Sequence, residues 1–325
     1  MLIPVLLFAL GLVLLIKGGD WFVDGATGIA ERFHVPEIII GATVVSIGTT
    51  LPEVMVSATS ALTGHGEIAY GNAIGSIICN TALIAAITVA VRPGPVDTKS
   101  LKTPVAFFFV SAAIYCLNAY ISGYFSRVMG VVMLALFALY LFVTIRQGFR
   151  SPAEELEGDA EEMEKAKELS MGKAAILLVV GAALIAVGAN LLVNNGTLIA
   201  QALGVPESVI ALTFVALGTS LPELVTAITS LAKGHGALSL GNVIGANIFN
   251  LVLVCGVSMT LAPFRIPQSS TIAGRNASLV LDIPLMLFVM AFLCFPALAR
   301  KKLSRFQGIV LLLVYAAFCA IQFTM

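Results

Sequence analysis

Long apolar stretches separated by short polar turns run along nearly the whole chain. A helix needs about 20 apolar residues to cross roughly 30 Å of hydrocarbon. The stretches of about that length are residues 3–17, 38–62, 67–91, 103–120, 126–146, 173–200, 208–232, 237–262, 277–298 and 306–324. The first and sixth can extend towards residues 31 and 200 as long tilted helices. The pattern predicts an all-α polytopic membrane protein with ten transmembrane helices.

Composition agrees with a membrane location. Hydrophobic residues make up 59% of the 325 positions and charged residues 11%, which is far from the composition of a soluble globular domain. The five cysteines lie in apolar segments without metal-binding spacing, and the three histidines form no HExxH pattern. We therefore expect no zinc enzyme, no cofactor and no nucleic-acid partner.

One long polar segment, "PAEELEGDAEEMEKAKELS", interrupts the apolar pattern at 152–170. It is too short to fold as a domain, and its charge is typical of a solvated linker. The predicted organisation is a first five-helix repeat over 1–146, an acidic cytoplasmic linker over 147–172, and a second five-helix repeat over 173–325.

The two halves are copies of one another. Adding 170 to a residue number moves Pro36 onto Pro206, Glu53 onto Glu223 and Asn80 onto Asn250, and residues 36–80 and 206–250 are identical at 21 of 45 positions. Because five helices is an odd number, the second copy must enter the membrane from the opposite side. The sequence predicts two inverted repeats.

Lysine and arginine predict the orientation. With the N-terminus outside, 15 of the 18 basic residues fall in cytoplasmic segments and three fall outside. Cytoplasmic loops are the ones enriched in Lys and Arg. We expect a multi-pass protein of the cell membrane, with both termini outside.

A proline and a carboxylate stand inside predicted helices two and seven, in "GTTLPE" at 48–53 and "GTSLPE" at 218–223. Gly48 loosens the helix and Pro52 removes a backbone donor, so we expect a break near mid-membrane. Freed carbonyls are tolerated there only against protein or a polar cavity. Both helices are predicted to be broken beside a glutamate.

Oxygen-bearing side chains recur around these breaks at helical spacing. Thr49 with Glu53, Ser76 with Asn80 and Thr219 with Glu223 each share a face, and Asn250 follows Ala246 in the same way. Ser46, Thr50 and Ser220 flank the breaks. An inverted dyad brings them to one centre, and an oxygen-only set suits Ca²⁺ and Na⁺.

Each of the two glutamates has an alternative interpretation, which is a protonated or hydrogen-bonded group that only holds helices together. A charged acid at the centre of a membrane helix costs at least about 2.5–3.5 kcal/mol. The chain accepts this cost twice, at Glu53 and Glu223. That favours ion binding, while interhelical bonding stays the alternative for Asn80 and Asn250.

At these motifs the chain resembles a known family. "GATVVSIGTTLPEVMVS" with "GNAIGSIICN", and "ALTFVALGTSLPELVTAITS" with "GNVIGANIFN", are similar to the two α-repeats of the cation/calcium exchanger superfamily, in its prokaryotic sodium/calcium antiporter branch. The resemblance covers nearly the whole chain. It implies alternating access, with one Ca²⁺ and several Na⁺ competing for a single central cluster.

The resemblance also implies roles for individual residues. Glu53 and Glu223 would bind both Ca²⁺ and Na⁺, and Thr49 and Thr219 would bind Ca²⁺ through backbone oxygens. The backbone oxygens of Ser46 and Ala216 would bind flanking Na⁺. The Na⁺ sites would be completed by Thr50, Ser220 and Ser76. Asn80 would face the centre. Some relatives have Asp at position 250 and a hydroxyl at position 246. Here the ring is Glu, Asn, Glu, Asn, with a formal charge of −2.

The sequence leaves alternatives to a Na⁺/Ca²⁺ antiporter. Two protons on Glu53 and Glu223 would balance one Ca²⁺, so H⁺-coupled exchange is the nearest. A cation channel usually surrounds an axis made by several subunits, whereas this dyad lies within one chain and is compatible with a functional monomer. A membrane enzyme would need a nucleophile and base pair at membrane depth, and the sequence offers none.

Overall fold

The computed structural model describes residues 2–150, 169–203, 218–268 and 271–324. Helices form nearly all of this part of the chain. We number them α1 to α10: Leu2–Phe33, Glu37–Leu62, Gly66–Val91, Thr98–Ile121, Arg127–Arg150, Met171–Ala202, Leu221–Ala232, Gly236–Leu261, Ser278–Arg300 and Arg305–Thr324.

Within the described ranges, nine helices are long and apolar enough to cross a membrane. The exception is α7, whose described part has 12 residues and begins at Leu221; positions 208–217 of the predicted segment lie outside the described ranges. Helices α1 and α6 each have 32 residues, as their longer apolar extensions predict. The prediction of a nearly all-helical, multi-pass membrane protein is confirmed.

Helix α2 does not end at Pro52, which corrects the expectation of a break there. Its last part, Ser46–Leu62, is an α-helix with Pro52 inside it. A proline removes only one helical hydrogen bond, here the bond to the Gly48 carbonyl, and the turns on either side keep the helix intact. The departure from α geometry lies earlier, where Gly41–Val45 forms a π-helical segment.

Helices α1 and α6 pack against each other as a close antiparallel pair. A Cβ added at Gly11 would lie 2.9 Å from the Gly188 carbonyl oxygen, and one at Gly18 would lie 2.9 Å from the Ile185 nitrogen. Small residues let membrane helices approach until their backbones are in contact. The seven-residue spacing of these glycines therefore makes this contact possible.

The centre of the molecule is formed by α2, α3, α7 and α8, each of which contacts the other three. These are the helices that carry the motifs of the two halves. Helix α8 approaches α2 closely, because a Cβ at Gly241 would overlap the Ile38 carbonyl oxygen and one at Gly245 would lie 2.5 Å from the Ala42 Cα.

Contacts between loops agree with the chain crossing the membrane at each helix. Pro95 bridges to Lys302, which joins the α3–α4 and α9–α10 connections. The strand Tyr124–Phe125 (β1) pairs antiparallel with Phe264–Arg265 (β2), which joins the α4–α5 and α8–α9 connections. Thr271–Ile272 (β3) and Arg275–Asn276 (β4) form a small hairpin in the latter. Each bridge joins connections that an alternating path places on the same face.

Candidate functional site: a buried oxygen cluster

The carboxyl groups of Glu53 and Glu223 lie at the centre of the four-helix core. Both side chains are 0% exposed, and they are close enough to interact electrostatically. The hydroxyls of Thr49 and Thr50 lie near enough to Glu223 to interact with its carboxylate. None of the four glutamate oxygens has a hydrogen bond of ordinary length and angle to a described residue.

Asn80 and Asn250 lie on α3 and α8 and are also 0% exposed. Each begins a π-helical segment, Asn80–Ala85 in α3 and Asn250–Val254 in α8. Such segments are frequent at functional sites, because the extra residue changes where the neighbouring side chains point. Among the described residues, neither amide has a hydrogen-bond partner on its oxygen or its nitrogen.

The predicted hydroxyl residues lie in the same core. Thr49, Thr50, Ser76 and Ser220 are 5% exposed or less, and Thr219 is half-buried. The side-chain oxygens of Thr50 and Ser220 have no hydrogen-bond partner in the described part of the chain. Ala216 lies outside the described residues.

Ser46 has a different environment from the other hydroxyl residues. Its hydroxyl lies 2.8 Å from the Gly41 carbonyl oxygen and 3.0 Å from the Asn242 carbonyl oxygen, and both of these groups can only accept. A hydroxyl has one hydrogen to donate. The single Ser46 hydrogen is therefore taken up by a backbone acceptor, either within α2 or on α8, which agrees with a backbone rather than a side-chain role for this residue.

Two residues of the core, Asn72 and Asn242, were missed by the sequence interpretation. Asn72 donates to the Glu53 carbonyl oxygen at 3.2 Å and accepts from the Thr219 hydroxyl at 3.2 Å. Asn242 accepts from the Thr49 hydroxyl at 3.3 Å. A signal was present in the sequence, because both follow the first glycine of the repeated GNxxG pattern.

The cluster contains more buried hydrogen-bond acceptors than hydrogen-bond donors. Burying a carboxylate without a partner is costly, and proteins offset that cost by pairing the charge or by placing it on a cation. Here two carboxylates and two amides are buried with no hydrogen-bond partner among the described residues. Oxygen ligands of this kind suit hard cations such as Ca²⁺ and Na⁺.

Lysine, histidine and acidic side chains also pair at the edge of the core. Lys233 forms an ion pair with Asp24 at 2.7 Å and lies 3.6 Å from Asp20, and His235 lies 2.6 Å from Glu37. Both contacts join the α7–α8 connection to α1 or to the start of α2. They hold the two halves together on one face and stand apart from the buried cluster.

Comparisons of the sequence with known proteins point to one family. The sequence profile of the family described as sodium/calcium exchanger protein matches residues 3–146 and 173–324. Sodium/calcium exchanger MaX1 of Methanosarcina acetivorans is 30% identical over 352 residues, with 98% of each chain covered. Inner membrane protein YrbG of Escherichia coli strain K12 is 35% identical over 298 residues, covering 90% of this chain and 89% of that protein.

Solved structures of the sodium-calcium exchanger NCX_Mj are similar over the whole fold. The form soaked with 10 mM Na⁺ and zero Ca²⁺ aligns with a TM-score of 0.79 at 34% identity, covering 98% of this chain and 99% of that one. A form soaked with 2.5 mM Na⁺ and 10 mM Sr²⁺ aligns with a TM-score of 0.79 at 33% identity, covering 98% of each chain.

The fold and these relatives define a class, that of multi-pass membrane transporters rather than enzymes. More particularly, the chain belongs to the sodium/calcium exchanger family. Membership supports a cation/Ca²⁺ antiporter.

Proposed function

We propose that the protein exchanges Na⁺ for Ca²⁺ by alternating access, with the ions binding in turn at the buried cluster. The observation that carries the proposal is the pair of glutamates, 0% exposed and without hydrogen-bond partners in the described part of the chain. The names of the relatives support Na⁺ and Ca²⁺ as the transported ions. The ions are the substrates, and no resident cofactor is required.

In this proposal the residues divide into two groups. Glu53, Glu223, Asn80 and Asn250 form the central ring, with the backbones of Thr49 and Thr219 as further Ca²⁺ ligands. Thr50, Ser76 and Ser220, with the backbones of Ser46 and Ala216, hold flanking Na⁺. The ring carries two negative charges, so one Ca²⁺ neutralises it.

The two halves, 1–146 and 173–325, are proposed to be inverted repeats joined by an acidic cytoplasmic linker, 147–172. The sequence repeat, the match of the family profile to both halves and the loop contacts support this arrangement. The distribution of lysine and arginine supports an orientation with both termini outside. In a variant without native cysteines, a cysteine at Lys301 should react from the cytoplasmic face only, and one at Thr271 from outside only. The reverse labelling would overturn the orientation.

Ion-coupled flux tests the function directly. Purified protein in proteoliposomes should accumulate radiolabelled Ca²⁺ when Na⁺ is high inside, and uptake should saturate with Ca²⁺. An equal K⁺ gradient should drive none. Uptake driven by a pH gradient without Na⁺ would instead favour two protons on the glutamates, and unsaturated flux that needs no counter-ion would favour a channel.

Membrane potential tests the stoichiometry. Three Na⁺ per Ca²⁺ would move one net charge per cycle, which couples transport to voltage by roughly 2.3 kcal/mol per 100 mV. We favour three Na⁺, because hydroxyls and carbonyls flank the two carboxylates and can bind Na⁺ without further charge. Na⁺-driven Ca²⁺ uptake should change when valinomycin sets the potential at 0 or about −100 mV. A rate and a final Ca²⁺ gradient that do not change with the potential would indicate two Na⁺ per Ca²⁺.

A further inference from the structure

The Asn72 side chain, on α3, is outside the proposed ligand set but touches two of its members. Its amide nitrogen donates to the Glu53 carbonyl oxygen at 3.2 Å and to the Ser57 hydroxyl oxygen at 2.8 Å. Its amide oxygen lies 3.2 Å from the Thr219 hydroxyl. One side chain thus joins α2 to Thr219, which lies two residues before the start of α7 at Leu221.

The chemistry of these partners fixes the direction of each hydrogen bond. A backbone carbonyl can only accept, so the Asn72 NH₂ group must face Glu53. The amide oxygen then faces Thr219, and an amide oxygen can only accept as well. The single hydroxyl hydrogen of Thr219 must therefore point at Asn72.

A donated hydrogen decides what the rest of the hydroxyl can do. Once its hydrogen is engaged, Thr219 has only lone pairs and its backbone carbonyl to offer on its other sides. Lone pairs attract cations, whereas a free hydroxyl hydrogen would repel them. The bond also fixes the Thr219 rotamer and, with it, the peptide that leads to Ser220 and Glu223.

We propose that Asn72 is a positioning residue for ion binding, which fixes the Thr219 side chain and, with it, the Thr219 backbone oxygen that the proposed site uses. This inference rests on the proposed function, since it assigns Asn72 to the same ion site. Asn72 binds no ion itself. It acts through Thr219, and its own orientation is set by Glu53 and Ser57.

The second half repeats the contact. Asn242 corresponds to Asn72 and accepts from Thr49, which corresponds to Thr219, at 3.3 Å. The same amide-to-threonine pair therefore stands on both sides of the centre.

A double-mutant cycle in proteoliposomes tests the proposal. Asn72→Ala and Thr219→Val should each raise the Ca²⁺ concentration for half-maximal uptake roughly 3- to 10-fold, the effect of losing one hydrogen bond, with the maximal rate little changed. Because Asn72 acts through Thr219, the double variant should be no worse than Thr219→Val alone. Thr219→Ser keeps the hydroxyl and should restore near-normal affinity.

Controls separate a positioning role from packing. Asn195→Ala removes a buried amide on α6 that bonds only to the Leu191 carbonyl oxygen among the described residues, and it should leave the half-maximal Ca²⁺ concentration unchanged. If Asn72→Ala does not fold, Asn72→Ser replaces it in the cycle. Additive effects of the two substitutions, or an unchanged affinity in Asn72→Ala, would overturn the proposal.

The proposed function is tested separately in the same liposomes. Absence of Na⁺-driven Ca²⁺ uptake by the unaltered protein would count against the function. Normal uptake by the unaltered protein, together with an unaffected Asn72→Ala variant, would count against Asn72 alone. Equilibrium binding of radiolabelled Ca²⁺ to purified protein gives a second readout that needs no transport.

Discussion

The two halves keep the same carboxylates and amides at the centre but differ in the hydroxyls around them. Glu53 matches Glu223 and Asn80 matches Asn250, and all four are 0% exposed. Serine in the first half is replaced by alanine in the second at three positions: Ser46 and Ala216, Ser57 and Ala227, Ser76 and Ala246. The acidic and amide centre is symmetric, and the hydroxyl shell belongs mainly to the first half.

The difference has a visible consequence at the repeated asparagines. Asn72 uses both ends of its amide, with Ser57 among its partners. The NH₂ group of Asn242 is buried and has no partner in the described part of the chain, and Ala227 stands where the counterpart of Ser57 would be. In the proposed function, the symmetric ring binds the single Ca²⁺, and the unequal hydroxyls lie around it.

Removing either central charge should have the largest effect. Glu53→Gln and Glu223→Gln keep the size and one oxygen of the side chain but remove the charge that offsets desolvation of Ca²⁺. Each alone should nearly abolish Ca²⁺ uptake in proteoliposomes, while gel filtration and thermal unfolding show a folded protein. Strong loss in only one variant would show that the two glutamates are not equivalent. Normal uptake in either variant would show that its glutamate is not part of the ion site.

Much of the fold could be predicted from the sequence because its causes are local. Apolar length and the 170-residue repeat indicate where helices lie and which helices of the two halves correspond. The course of α2 was not predictable in this way, since Pro52 lies inside an unbroken helical segment and the π-helical segment at 41–45 lies against α8, a contact that the local sequence does not specify. The roles of Asn72 and Asn242 were hidden for a similar reason, because the direction of a side-chain hydrogen bond depends on partners 147 and 193 positions away.

The amides of the ring give the next test of symmetry. Asn80→Ala and Asn250→Ala should each weaken Ca²⁺ binding about tenfold, the effect of losing an oxygen ligand to a charge, and by similar amounts. Binding of radiolabelled Ca²⁺ and thermal unfolding are measured on the same samples. A lower melting temperature with unchanged affinity would assign the amides to interhelical packing instead.

The second glycine of the GNxxG pattern on α8 tests how closely that helix packs against α2. A Cβ at Gly245 would overlap the Ser46 hydroxyl oxygen and lie 2.5 Å from the Ala42 Cα. Gly245→Ala should therefore destabilise the protein by about 1–3 kcal/mol, as overpacking does. Thermal unfolding in detergent measures the loss, and unchanged stability would mean that α2 and α8 can separate at this point without cost.

The smallest effect concerns the missing hydroxyl near Asn242. Ser57→Ala removes one of the partners of Asn72 and should destabilise the protein by roughly 0.5–1.5 kcal/mol, the net contribution of a hydrogen bond. Ala227→Ser is the matched exchange in the second half. It places a hydroxyl where the repeat predicts an acceptor for the buried Asn242 NH₂ group, so it should stabilise the protein by a similar amount.

Ala227 is 0% exposed, and the added oxygen must fit without displacing its neighbours. The melting temperatures of the two variants should therefore move in opposite directions, with Ca²⁺ affinity changing more in Ser57→Ala because Asn72 also holds Thr219. A loss of stability in Ala227→Ser equal to that in Ser57→Ala would show that the second half is packed too closely at this position to accept the first half's arrangement.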